Sequence, residues 1–485
     1  MGTGKIDRLT TQVLVIGSGA GGAITAATLA EAGYTVMIAE DGRDVNTSEL
    51  ATHTPEAMQL LYRNGGLSPL LGRPNIAFVE GCCVGGSTEI NSAFWHRTPP
   101  EAIERWQKEF GVVELSASEL YQLFQEIEAE LRVARLNSLN PPPSSALFKR
   151  GVDELGWQIE EVPRAQGTDP STSTFAPGAK RSMSRTFIPR AVAAGAQLLP
   201  NCRVERICYQ HGRVTSAVAR LKGLDGTHRV KIEAETVFVC GGAIQTPALL
   251  RASGIKRNIG DNLHIHPMLK VAARFDREID SHRSALPIYQ VKQFWPDITL
   301  GGSVFTPGFL ALTLENCPDR QAVMRDWRQM ALYYVATRSY GEGSVRAFPL
   351  TGEAVVRFRL SQQDQHNLNV GLVRLCEALF AGGADKLYPA LRAPAVINSV
   401  AESRVFLSRE AILTDMNLST VHAFSTCPLG ENPASATNSF GKVHGFENLY
   451  IGDASLIPDS LGVNPQGTTM ALALRNVRHF IARGR

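Results

Sequence analysis

Four consecutive apolar residues at 13–16 (Val-Leu-Val-Ile) separate a polar N-terminal stretch from a run of glycines. An apolar run this short, without alternating polar positions, predicts a strand buried on both faces of a parallel sheet. Residues 23–32 are rich in Ala and Leu and predict a helix, which Gly33 ends. Residues 35–39 predict a second strand, closed by Glu40. Two later segments show a related order. Residues 237–239 enter Gly241-Gly242 and then a helix, with Pro247 expected near its first turn. Residues 447–453 read as a strand ending in Gly452-Asp453, and an Ala/Leu-rich helix with a basic end follows over 468–480. Residues 356–360 alternate as a strand, and 363–381 predict a helix. Pro141-Pro142-Pro143 marks a stiff loop. Residues 170–183, rich in Ser, Thr, Gly and Pro, predict a mobile one.

The glycines after the first strand are Gly17-Ser18-Gly19-Ala20-Gly21-Gly22, a G-x-G-x-x-G at the start of a helix. Gly17 permits the tight turn, Gly19 lets backbone approach a pyrophosphate, and Gly22 lets helix and strand pack closely. Free N–H groups around Gly19 and Ala20 then face the phosphates. Glu40, 18 residues beyond Gly22, is placed to accept hydrogen bonds from an adenosine ribose, and an acid there disfavours a 2′-phosphate. This motif predicts a dinucleotide site without separating FAD from NAD.

Bulk properties narrow the class. At 485 residues the chain is too long for one compact core, so two or three structural units are expected. With 44% hydrophobic and 20% charged residues it reads as soluble and globular. A net charge of +3, with no dense Lys/Arg run, argues against nucleic acid as a partner. The eight cysteines show no C-x-x-C or His/Cys ligand spacing, so no metal is expected. Reduced thiols and the absence of an apolar signal core among the first residues point to a cytoplasmic protein. No run of 18 apolar residues predicts a membrane span.

Three further segments resemble glucose–methanol–choline oxidoreductases. Residues 81–91, Gly-Cys-Cys-Val-Gly-Gly-Ser-Thr-Glu-Ile-Asn, are similar to that family's G-x-x-x-G-G-S-S-x-x-N loop, which lies along the flavin. The resemblance implies FAD contacts from Gly85, Gly86, Ser87 and Asn91. Some relatives bear a flavin-linked His where this chain has Ile90, so the FAD is expected to be non-covalent. Residues 237–255 resemble the second family signature, with Thr246-Pro247 in place of Ser-Pro, and imply a contact from Gly242. Val204 matches the position that touches adenine, and 260–267 match the family's G-x-N-L-x-x-H-P turn. Asp453 and Ala454 match the block placed by the ribityl or pyrophosphate, and Asn464-Pro465 follow.

Oxidising an alcohol requires a base for the hydroxyl proton and an acceptor for the hydride. The family places its base in H-x-x-G-T-C-x-M-G. This chain has His422-Ala-Phe-Ser425-Thr426-Cys427-Pro-Leu429-Gly430, with Ser425 replacing Gly and Leu429 replacing Met. The resemblance makes His422 the base, with a pKa expected near working pH. Asn464 stands where many relatives carry a second His, as in the cholesterol oxidase branch, and would hold the substrate oxygen. Its competing use is to cap the helix that follows. His266, His366 and His444 are expected to be structural, and Glu315 and Glu342 are unranked candidates for a third acid–base group.

The expected fold is α/β: a Rossmann-like FAD-binding domain and an α+β substrate domain with an antiparallel sheet. The FAD domain is expected to be discontinuous over 1–100, 185–268 and 420–485, with the substrate domain over 101–184 and 269–419. The expected function is FAD-dependent oxidation of an alcohol, with O2 or another electron acceptor. Residues 359–384 resemble long-chain alcohol oxidases and hint at a hydrophobic alcohol; Phe294, Trp295, Phe305, Phe309, Tyr333, Tyr334 and Tyr340 are aromatics available to an apolar pocket, with core packing the expected use of most of them. The alternative is a non-redox or light-driven enzyme of the same fold, a hydroxynitrile lyase or a decarboxylase.

Overall fold

The apolar residues 13–16 end the strand Asp7–Ile16, and all four are buried. Two strands flank it in parallel, Val36–Ala39 on one side and the far end of Gly226–Val239 on the other. Gln197–Leu199 extends the sheet, and Leu449–Ile451 runs parallel beside Gly226–Val239. Arg213–Gly223 and Cys202–Gln210 complete it as an antiparallel meander. The order of strands reverses at Asp7–Ile16, which opens a crevice at the carboxyl ends, where α/β sheets bind ligands. This computed structural model describes residues 7–47, 50, 54–136, 141–169, 174–223, 226–283, 287–408 and 415–484.

Glycines line that crevice because backbone meets backbone there. Gly17 has φ +106°, and a Cβ on it would lie 2.3 Å from the Cys240 carbonyl oxygen. A Cβ on Gly21 would lie 1.7 Å from the Gly452 carbonyl oxygen, and one on Gly22 would lie 2.1 Å from that of Gly17. The helix Ala20–Glu31 is therefore pressed onto the strand ends. Gly19 at its N-cap offers no side-chain cap, so its first N–H groups stay open to a ligand.

The helix Gly242–Ala252 departs from expectation at Pro247, which lies inside it rather than near its first turn. Proline has no N–H for the carbonyl four residues earlier, that of Ala243. The Thr426 hydroxyl donates to that carbonyl at 2.7 Å and satisfies it. A helix of the first sheet is thus tied to the loop that carries His422.

A second sheet, mostly antiparallel, runs in the order Ser68–Leu70, Ile76–Phe78, Leu418–Thr420, Met268–Phe275, Met330–Thr337, Ile298–Gly302, Tyr289–Val291, Ile159–Glu161. Its two faces follow the strand period of two. Leu269, Val271, Tyr333, Val335 and Leu300 point into a core covered by the helix Gln362–Ala381. That helix starts on a capping box formed by Ser361 and Asp364. Met268, Lys270, Tyr334, Ala336 and Thr299 point the other way, toward the crevice of the first sheet. The fold is therefore α/β, a Rossmann-like unit joined to an α+β unit.

Several segments differ from the sequence reading. Residues 68–78 were expected with the nucleotide unit, yet they pair into the second sheet because Ile76–Phe78 lies parallel to Leu418–Thr420. Helices Pro100–Phe110 and Ala117–Leu131 were expected with the substrate unit. They pack Trp106, Leu120 and Phe124 into the core of the first sheet. The expected loop at 170–183 holds the strand Thr174–Lys180, which pairs with Gln166–Asp169 as a hairpin, while 170–173 lie outside the described residues. Backbone pairing between these two strands has overridden the loop-like composition. Pro143 opens the helix Pro143–Glu154 instead of continuing a loop. All eight cysteines are unpaired. Among the described residues, no helix is long and apolar enough to cross a membrane.

Gly21→Ala should lower stability by about 1–3 kcal/mol, as overpacking against a fixed backbone does. Thermal denaturation followed by circular dichroism checks this, and an unchanged midpoint would mean the Gly452 turn yields freely.

Candidate active site

A cavity of about 540 Å³ runs from the crevice of the first sheet to the polar face of the second. Of the residues singled out in the sequence, Gly17, Gly19, Ala20, Glu40, Gly86, Ser87, Asn91, Val204, Gly242, Asp453, Ala454, Asn464 and Pro465 line it. Gly22 and Gly85 do not. Gly22 lies in the first helix, on the face turned toward Gly17 and Cys240. Gly85 has φ +92°, and its N–H donates to the Ser18 hydroxyl at 3.0 Å. A Cβ on Gly86 would lie 2.9 Å from the Gly19 Cα, so the two glycine loops form one continuous backbone cradle.

The acids around this cradle are engaged by the protein itself. Glu40 accepts from the Ser18 N–H at 2.9 Å, the Ser18 hydroxyl at 2.7 Å and the Gly42 N–H at 2.8 Å. A carboxylate has about four acceptor positions, so one remains on Oε1. Burial raises the Glu40 pKa, which these three hydrogen bonds oppose. Asp453 is used completely: it accepts from the Gly242 N–H and Thr246 hydroxyl on one oxygen, and from the Ser455 N–H and hydroxyl on the other. It fixes the turn between the last strand and Ala454 instead of offering a free carboxylate. Asn91 donates to the Gln466 side chain at 2.6 Å, so the 81–91 loop is joined to the C-terminal helix.

His422 stands between Leu418–Thr420 and Ala423–Phe424 and faces the cavity. Its Nε2 lies 3.1 Å from Asn464 Nδ2, and its Nδ1 lies 3.0 Å from His266 Nδ1. Asn464 does not cap the helix Gln466–Arg483. Pro465 occupies the N-cap position without a side-chain cap, which leaves the first N–H groups beside the cavity. With Asn464 donating to Nε2, the His422 proton resides on Nδ1 and is given to His266. The Gly462 N–H faces His266 Nε2 at 3.3 Å. Two neutral rings cannot satisfy all three contacts, so either the Gly462 contact opens or the Asn464 amide turns to present Oδ1.

The electrostatics differ from expectation. Burial pushes His422 down to about 4 rather than leaving it near working pH. Burial, followed by His422 and Arg338, also holds His266 well below its ordinary value. Both rings are therefore neutral at physiological pH. His266, expected to be structural, is a direct neighbour of His422. The signal for it was its place two residues before a strand whose alternate residues face the cavity. Glu315 and Glu342 are exposed and do not line the cavity, and His366 is exposed on its helix. Ser425 has φ +70° with a buried hydroxyl that has no partner, so the Gly-to-Ser replacement noted in the sequence carries backbone strain.

The glycine cradle, the uncapped helix ends and the imidazole beside them suit a flavin dinucleotide. Residues 58–268 and 345–473 match the GMC oxidoreductase family, and the chain belongs to it. It is an FAD-dependent oxidoreductase. An uncharacterised GMC-type oxidoreductase of Sinorhizobium fredii is 40% identical over 96% of this chain and 94% of its own length. A long-chain-alcohol oxidase of Arabidopsis thaliana is 26% identical over 96% of this chain and 67% of its own. Among solved structures, a formate oxidase of Aspergillus oryzae superposes with a TM-score of 0.76 at 16% identity, covering 99% of each chain.

Ser425→Gly should raise stability by about 1 kcal/mol or more, because it removes a left-handed non-glycine residue. A lower thermal midpoint would contradict the strain. Acid should act oppositely. Between about pH 6.5 and pH 4 the unfolded chain binds a proton at residue 422 that the folded chain refuses, so stability falls as pH drops through that window. Denaturant midpoints measured across it, flat rather than falling, would refute the buried neutral histidine.

Proposed function

We propose that the protein oxidises an alcohol to an aldehyde or ketone, with His422 taking the hydroxyl proton. The observation that carries this reading is the placement of His422 at the cavity wall, with Asn464 at 3.1 Å on one ring nitrogen and His266 at 3.0 Å on the other. Asn464 would hold the substrate oxygen through its amide N–H while His422 Nε2 accepts the proton. His266 would then accept from Nδ1 and stabilise the imidazolium. FAD, when bound, supplies the acceptor for the carbinol hydride. A ring whose pKa is about 4 is a weak base, so proton removal ahead of hydride loss would be unfavourable.

The backbone turns at 17–22 and 85–86 would hold the pyrophosphate, and the helix N-terminus at Gly19 supports this. Val204 would face the adenine, and the free position on Glu40 Oε1 would take a ribose hydroxyl. Residues 87–91, Ala454 and the first turn of Gln466–Arg483 would surround the flavin ring. Ile90 supports non-covalent attachment, since it offers no nucleophile. We place the substrate domain on the second sheet and the FAD domain on the first. The His422/Asn464 pair resembles the cholesterol oxidase arrangement. The long-chain-alcohol oxidases among the relatives support an apolar alcohol and O2 as acceptor.

His422→Ala should slow anaerobic flavin reduction by roughly 10²–10⁴-fold, with a near-normal rate removing His422 from this role. Acid precipitation should leave the flavin in solution; flavin retained in the pellet would overturn non-covalent binding.

A further inference from the structure

The wall of the cavity opposite the nucleotide end carries three cations. Lys270, Lys292 and Arg338 all line it, on the same face of the second sheet as Met268 and Ala336. The register explains this. Met268 is opposite Ala336 and Lys270 is opposite Tyr334, so Arg338, two residues beyond Ala336, falls on that face beside His266. Five carboxylates line the cavity among the described residues, and each is held by groups at the nucleotide end: Glu40 by Ser18, Asp41 and Glu80 by Arg63, Glu205 by Arg220, and Asp453 by Gly242. Lys292 is 3.7 Å from Glu160, and Arg338 is 3.8 Å from Asp459, while its buried Nε has no partner.

Lys270 is the least compensated of the three. Among the described residues its ammonium meets no carboxylate and no hydrogen-bond acceptor, only the face of the Phe309 ring at 4.9 Å. Burial lowers its pKa to about 8, so it still carries its charge at neutral pH. A desolvated cation without a counter-ion is costly, and a cavity that keeps one is suited to an anion. In the reading above, the FAD phosphates lie against the glycine turns of the first sheet, so they do not supply that anion. Lys270 is four residues from His266 along an extended strand, roughly 13 Å. Met268, Ala336, Val304 and Val421 line the same cavity.

We infer that the substrate is an alcohol with an apolar body and an anionic headgroup, a carboxylate or a phosphate monoester, which Lys270 holds while the hydroxyl lies at His422 and Asn464. This rests on the alcohol-oxidising reading. It deepens that reading by naming the substrate class.

The test uses the FAD-loaded protein and three matched series of increasing chain length: 1-alkanols, ω-hydroxy carboxylates and hydroxyalkyl phosphates. The wild type should reduce its flavin with at least one anionic series at a kcat/KM about ten-fold or more above that of the matched alkanol, the worth of one charge-assisted contact. The two anionic series separate carboxylate from phosphate. Lys270→Met should raise KM for the preferred anionic series by a similar factor, leave kcat and the alkanols unchanged, and retain flavin. Lys270→Arg should restore the preference. Binding is read separately by perturbation of the flavin spectrum with alkanoates and alkyl phosphates that lack a hydroxyl, and Lys270→Met should weaken it about ten-fold. Anion binding that depends on Lys270, with no alcohol reducing the flavin, would uphold the headgroup site and overturn the alcohol reading. A wild type that prefers alkanols, a Lys270→Met variant that loses both series equally, or no anion binding would overturn the inference.

Discussion

The nucleotide half of the cavity depends on backbone meeting backbone at the ends of parallel strands. Gly17 against Cys240, Gly21 against Gly452, and Gly86 against Gly19 leave no room for a Cβ. These contacts bring three strand ends, one helix N-terminus and the 81–91 loop to a common edge. The side chains there serve mainly to hold the turns. Asp453 spends all its acceptor positions within the protein, and Glu40 spends three. Main-chain N–H groups are then left as the natural contacts for a phosphate.

The end of the cavity that carries His422 is anchored to this frame by two unusual features of helix and loop. Pro247 frees a carbonyl inside a helix, and Thr426 fills it four residues after His422. Ser425 accepts a left-handed conformation beside it. Strain of this kind persists only where surrounding contacts over-determine the backbone. Here the loop is also paired with the Ala454–Leu456 turn through the Cys427 and Leu429 N–H groups. The position of the imidazole is thus set by the same turn that Asp453 organises.

Charge is divided along the cavity. The acids gather at the glycine-lined end and are paired, whereas the wall on the second sheet carries cations and neutral imidazoles. The low dielectric that makes His422 neutral also makes an uncompensated Lys270 conspicuous. Both follow from the same burial between two sheets.

The local pattern of the chain determined the elements with strong periodicity or steric need: the strand at 13–16, the glycine turn and helix after it, the strand and helix at 356–381, and the order of motifs that marks a flavin-binding chain. These are legible because a buried strand, a turn without room for Cβ and an amphipathic helix each constrain neighbouring residues. Tertiary structure decided what depends on distant pairing. Residues 68–78 joined the second sheet because Leu418–Thr420 offers them a parallel partner, and Pro247 could sit inside a helix because Thr426 supplies the missing donor. His266 meets His422 across 156 residues, and Lys270 faces the cavity only because its sheet has one wet side. Burial, which sets the charge of each of these groups, is a property of the assembled sheets and not of any segment alone.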